Sequence, residues 1–207
     1  MIKINENKLR QELVKLQASL MQYGGWSRME AVARCLHWLG EAEAVDYFYR
    51  AATAYPLGKE AEPIDFLRVG TLLYLANDIP ASRPYYEKAR ALAQHKIAQK
   101  QWLVYQQLVP SCFFLGLDDE AQSYARSFRR QEPNPELMIN YVVMLAEARQ
   151  THNAKRALDS AESIANAIRK HRAKIIDAGA PTPWDWYEIA LRLAKELGAA
   201  VPAEALP

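Results

Sequence analysis

Four turns recur along this chain at nearly constant spacing, and no other feature narrows its fold as far. Around Gly40 the sequence reads HWLGEAEAVDYFYRAATAYP, and around Asn77 LYLANDIPASRPYYEKARALA. Around Gly116 it reads FFLGLDDEAQSYARSFRRQEP, and around His152 EARQTHNAKRALDSAESIA. The four turn residues are 37, 39 and 36 positions apart. A period in this range marks an array of helical hairpins. One hairpin cannot bury its apolar face, so neighbours must stack and share a core.

The punctuation between the turns is that of helices. Gly24, Gly40, Gly58, Gly116, Gly179 and Gly198 are expected stops, because glycine accepts the left-handed conformation that ends a helix. Ser27 and Glu30 have capping-box spacing, and Asn134-Pro135-Glu136 and Thr182-Pro183-Trp184-Asp185 each read as cap, first-turn proline and acid. Asp118-Asp119-Glu120 puts three acids where the helix dipole favours them. Leu9, Leu13, Leu16 and Leu20 form one face of an N-terminal helix. No segment alternates β-branched residues with a period of two. The expectation is an all-α, single-domain chain over 1–207: an N-terminal helix at 1–24, repeat units over 26–170 and a C-terminal capping helix at 181–198. Trp184, Trp186 and Tyr187 in that last segment suit either a cap or a dimer contact.

Composition adds exclusions. With 26 Lys+Arg against 24 Asp+Glu the net charge is +2, which gives no reason to expect a nucleic-acid or other polyanionic partner. Two cysteines, Cys35 and Cys112, fit neither a disulfide framework nor a paired-cysteine metal site. Charges scattered through Met1 to Gly24 break any signal-peptide core, and the longest apolar run, Tyr141 to Ala146, is far short of the ~20 residues of a membrane span. A cytoplasmic location with no membrane partner is expected, with secretion by a signal-less route left open.

The repeats resemble the tetratricopeptide family, in which a small residue early in the first helix meets a small–aromatic–small series on the second. Val69-Gly70 with Leu73, then Ser82, Tyr86 and Ala89, match in the second unit; Ala121, Ala125, Phe128 and Pro133 match in the third. Val45, Tyr49 and Ala52 fall into place in the first, and Ala157, Ala161 and Ile164 in the fourth. All three periods exceed the family's 34 residues. Pro110 should kink or break its helix, and Pro84 suggests a late start with Ser82 as cap. The resemblance implies a right-handed tetratricopeptide-like array of about four units, with capping helices at both ends. It also implies a concave groove lined by first helices that grips a protein or peptide. The partner-binding candidates this layout gives are Arg34, His37 and Trp38, then Thr71 and Tyr74, then Gln106 and Phe113, then Arg149; rings beside Arg and Gln are what interface hot spots use.

Residues that could carry catalysis are sparse. His37, His95, His152 and His171 include no i,i+4 pair for zinc, and no glycine loop followed by Lys-Ser/Thr cradles a phosphate. Neither a metal nor a cofactor is expected. A Cys/His pair is a matter of space rather than sequence, but the run Cys112-Phe113-Phe114-Leu115 favours a buried structural thiol over a reactive one. The cluster Arg169-Lys170-His171-Arg172 with Lys174 suits a solvated helix C-terminus better than an RNA contact, which would need it to merge with Arg129-Arg130.

A second resemblance runs from Ala33-Arg34-Cys35-Leu36 through Gly40 to Tyr49-Arg50-Ala51-Ala52, and is to an all-helical immunity-protein family (family forty-nine) of bacterial polymorphic-toxin systems. It implies a non-enzymatic protein that binds and neutralises a cognate toxin. The alternative is a tetratricopeptide-type chaperone or adaptor for secretion or complex assembly. An enzyme or nucleotide-binding regulator is the third reading, and a deep polar pocket would favour it. The oligomeric state is not legible.

Overall fold

The computed structural model describes residues 5–131, 137–171 and 181–201. Within them the chain is all-α, with no strand among the described residues. The helices are α1 (Glu6–Tyr23), α2 (Trp26–Trp38), α3 (Ala44–Thr53), α4 (Pro63–Leu75) and α5 (Ile79–Ala98). After a 3₁₀ turn at Trp102–Val104 come α6 (Tyr105–Phe114), α7 (Asp118–Gln131), α8 (Leu137–Gln150), α9 (Ala154–His171) and α10 (Pro183–Glu196). The expected start at Asn134-Pro135-Glu136, the stop at Gly179 and the family position Pro133 lie outside the described residues.

The four recurring turns share one construction. They join α2 to α3, α4 to α5, α6 to α7 and α8 to α9, and Gly40, Asn77, Gly116 and His152 have φ of 73°, 59°, 77° and 49°. Gly40 N–H donates to His37 O at 3.0 Å and Glu41 N–H to Leu36 O at 2.9 Å. His152 N–H to Arg149 O and Asn153 N–H to Ala148 O repeat the pattern at 3.2 and 2.9 Å. This is the Schellman closure, in which a left-handed residue lets two amides satisfy the last free carbonyls of the helix. Glycine enters that region freely and asparagine tolerates it; at His152 the conformation carries strain. Gly58, by contrast, has no left-handed φ and lies beyond the end of α3.

Several local expectations are revised. The helix α2 begins at Trp26 rather than after a Ser27 cap, since Gly24 and Gly25, both at positive φ, reverse the chain and Gly25 takes the cap position two residues earlier. Arg28 holds this reversal, donating from Nη1 to Gly24 O at 3.1 Å and from Nε to Ser19 Oγ at 3.0 Å. The helix α5 starts at Ile79 with Asp78 as its cap, accepting from Ala81 N at 3.1 Å; Ser82 sits inside it and donates to Ile79 O. Pro84 removes only a hydrogen bond to the carbonyl of Pro80, on an exposed first turn where water can replace it. Pro110 lies within α6, which runs unbroken from Tyr105 to Phe114. On α3 the buried face is Ala44, Phe48, Ala51 and Ala52, while Val45 and Tyr49 are 40% and 47% exposed.

Packing follows from these faces. Leu13, Val32, Leu36, Phe48 and Leu72 belong to an apolar cluster over α1–α4. A larger one, including Leu108, Phe128, Ile139, Leu145, Ile164 and Trp186, runs from α5 to α10. Leu67, Tyr86, Ala89 and Leu115 form a third, bordered like the larger one by Tyr74, Phe114 and Leu117. Gly70 meets a neighbouring helix closely: a Cβ there would stand 2.7 Å from Tyr86 Cε1. The Tyr86 ring cannot retreat, because Phe114 stacks on it at 4.4 Å between centroids, 4° from parallel.

Gly70→Ala should therefore lower stability by about 1–3 kcal/mol through overpacking, although helix propensity alone would raise it by about 1 kcal/mol. Gly70→Leu should cost more. Urea unfolding of both variants against the parent checks the sign.

Candidate functional site

The helix α10 is held on all sides. Its first turn is fixed by a capping box: Thr182 Oγ1 accepts from Asp185 N at 3.3 Å, and Asp185 Oδ2 accepts from Thr182 N at 2.7 Å. From Asp185 to Ala194 nearly every residue is buried, including Trp186 at 0% exposure. A helix buried all round normally carries no ionised groups, yet Asp185 and Glu188 are buried with it. Arg34 and His37 on α2 face them, and Arg192 of α10 itself pairs with Glu188.

Arg34 on α2 faces Asp185. Its Nη1 donates to Asp185 Oδ1, its Nη2 to Asp185 Oδ2 at 3.2 Å, and its Nη2 also to Glu30 Oε1 at 2.7 Å. Burial alone would lower the Arg34 pKa, but the two carboxylates more than offset it and raise it. His37, one turn further along α2, places Nε2 3.5 Å from Glu188 Oε2, an ion-pair distance longer than a good hydrogen bond. Glu188 Oε1 also accepts from Arg192 Nε at 2.7 Å. Burial would raise the Glu188 pKa, but His37 and Arg192 outweigh it and hold the carboxyl below its ordinary value. Arg192 then reaches the C-terminus of α4, donating to Asn77 Oδ1 at 2.9 Å with its guanidinium 5.5 Å over the Tyr74 ring. The carbonyl end of a helix favours such a cation.

Rings complete the contact. Trp38 meets Trp184 edge-on at 4.7 Å and lies over Tyr187 at 6.0 Å. Phe113 and Phe114 on α6 flank Trp186 at 5.7 and 5.6 Å. Beside this seam a cavity of about 250 Å³ is lined by Leu9, Arg34, Cys35, Trp38 and Trp184.

Of the eight partner-binding candidates, Arg34, His37, Trp38, Tyr74 and Phe113 come together on the side that meets α10. Arg149 stands one layer behind, its Nε donating to Asp118 Oδ2 at 2.8 Å and its guanidinium 4.2 Å over the Phe113 ring. Thr71 is buried, and its hydroxyl donates to Leu67 O at 2.8 Å within its own helix. Gln106 is partly exposed on α6. Sequence reasoning missed Asp185, Glu188 and Arg192. The signal was there: two acids three residues apart and a cation four further on, within a stretch otherwise apolar on every face.

Other chemistry is limited. Burial pushes the Cys112 thiol up to about 11, and it raises the Cys35 thiol too. Both stay protonated at neutral pH and are poor nucleophiles. Among the described residues no group of three His, Cys, Asp or Glu side chains is arranged to hold a metal ion, and no helix is long and apolar enough to cross a membrane. Arg172 and Lys174 of the basic cluster lie outside the described residues.

Arg34→Met should cost about 3–5 kcal/mol by leaving buried carboxylates unpaired, read as a fall in the urea midpoint without loss of helicity beforehand. Because the Glu188 pKa is lowered on folding, its contribution is complete above its ordinary value and disappears as pH falls through the lowered one. The stability gap between the parent and Glu188→Gln should therefore close as pH falls below about 4, measured by thermal unfolding across pH. Comparison with protein-family models, with curated proteins and with solved structures finds no match to this chain.

Proposed function

We propose that the protein is a non-enzymatic protein-binding module, built as a right-handed tetratricopeptide-like array of about four hairpins. Most pointedly, it acts in the cytoplasm as an immunity protein that binds and neutralises a cognate toxin. The observation that carries this reading is the grip on α10. Arg34 and His37 take its carboxylates, while Trp38, Tyr74 and Phe113 take its rings and its arginine. These side-chain types dominate binding energy at protein interfaces when they are desolvated and convergent, and here they converge on one side of a helix that packs mainly on α9. The cavity between Trp38 and Trp184 is apolar rather than a deep polar pocket, and the two thiols are buried and protonated, which favours binding over catalysis. The chaperone or adaptor reading, with extended segments in the groove, is served less well, because the contacts made here suit a helix.

The test is co-expression with the product of the adjacent gene in a heterologous bacterium. The immunity reading expects that product alone to arrest growth, this chain to restore it, and the two to co-elute as a tight complex. If the product arrests growth and this chain neither restores it nor binds, the immunity reading falls.

A further inference from the structure

The outer side of α1 reverses the usual arrangement of a surface helix. Charged and polar residues normally face solvent on such a helix, and a helix that closes a repeat array keeps a polar outer face. In α1, Leu9, Leu13, Leu16 and Leu20 pack into the apolar cluster shared with α2. At about 100° per residue the opposite side carries Gln11, Val14, Ala18, Met21 and Gln22. All five are exposed, Val14 at 65% and Met21 at 89%, and none is charged. The charges stand on the flanks instead. Arg10 turns aside to Glu6 at 2.9 Å and to Glu41, beyond the end of α2, at 3.2 Å; Lys15 lies 3.9 Å from Glu12. From Leu16 to Tyr23 the helix has no charged residue.

We infer that this stripe is a self-association surface whose occupant is α1 of a second copy, packed antiparallel about a two-fold axis at Ala18. A two-fold contact sets one patch against itself, so a charged patch would meet its own charge and an uncharged one does not. An acidic or basic partner, by contrast, finds no counter-charge here. The distribution of charge also sets the direction. Antiparallel pairing lays the half of α1 that holds every charge, Glu6 to Lys15, along the half of the other copy that holds none. Parallel pairing would set Lys8, Arg10 and Lys15 beside their own copies. Ala18 has the smallest side chain of the stripe, which lets the two axes approach to about 8 Å. Val14 of each copy then lies beside Met21 and Gln22 of the other, with Gln11 at the polar rim. One pair of helices buries less than about 1,200 Å², the range of weak interfaces, so a dissociation constant of about 10–100 μM is expected. The inference is separate from the protein-binding reading and uses a different face.

The test is sedimentation equilibrium of the full chain from about 5 to about 500 μM. The parent should pass from monomer to dimer and no further, because a two-fold contact is closed. Ala18→Glu places a good helix former at an exposed position, so circular dichroism should be unchanged. Its dimer should dissociate at least about 30-fold more readily, since two carboxylates meet at the axis. Oxidative cross-linking reads the register, against a parent whose Cys35 and Cys112 are both buried. Ala18→Cys should give a disulfide dimer. Gln11→Cys should not, because the axis sets the two copies of position 11 about 20 Å apart. The proposal is overturned if the parent stays monomeric throughout, if Ala18→Glu dimerises as the parent does, or if Gln11→Cys cross-links as readily as Ala18→Cys. A monomeric parent whose Ala18→Glu variant loses the product of the adjacent gene also overturns it, and gives the stripe to that partner. A dimer that forms while that product fails to bind upholds it, and the protein-binding reading falls alone.

Discussion

One carboxylate, that of Asp185, organises the inside of this molecule. Its Oδ2 closes the capping box that starts α10, and the same group receives the guanidinium of Arg34, 151 residues earlier in the chain. Helix initiation and docking are thereby coupled: the geometry that caps α10 is the geometry that presents the carboxylate to α2. The ion pair itself adds little net stability once desolvation is counted. The stabilising energy comes from Trp186, Tyr187, Ile189, Leu191 and Leu193, all buried, at roughly 1.5–3 kcal/mol for each large side chain. The charges choose where α10 sits, and the apolar surface holds it there.

Around that contact the chain is assembled from locally determined pieces. Each helix packs against the next along the sequence, and each hairpin turn closes its own carbonyls with a left-handed residue. None of these steps needs information from elsewhere in the chain, which is why the turns at Gly40, Asn77, Gly116 and His152 can be read directly from residue type and spacing. Local context also explains the revisions. Tyr47, Phe48 and Tyr49 are consecutive aromatics, so spacing alone leaves the buried one ambiguous by a position; the start of α3 at Ala44 decides for Phe48. A proline is judged by its place in the helix, and near the first turn of α5 the lost donor matters little.

The candidate site was legible only on one side. Arg34, His37, Trp38, Tyr74 and Phe113 are reached through the groove layout that the tetratricopeptide resemblance implies. What they touch cannot be reached that way, because α10 meets α2 across nearly the whole sequence and no local pattern encodes a contact at that separation. Thr71 shows the opposite error: it shares a helix with Tyr74, but its short side chain turns back onto Leu67 rather than outward. Asp118 was read as a dipole partner at a helix start, and it is also the anion for Arg149. One residue can satisfy a local rule and a distant one at once, and sequence reveals only the first.

The length of α10 has a consequence for how such a chain can change. Fourteen residues span about 21 Å, and that span is used up in reaching from Arg34 at one end to Asn77 and Phe114 further along. Inserting or deleting one hairpin would shift neighbouring helices by about 10 Å and carry Asp185 out of reach of Arg34. Open helical arrays grow and shrink by whole repeats because each unit answers only to its neighbours. Here α10 also answers to α2, and the distance between those two helices is fixed by the ruler laid across the ones between.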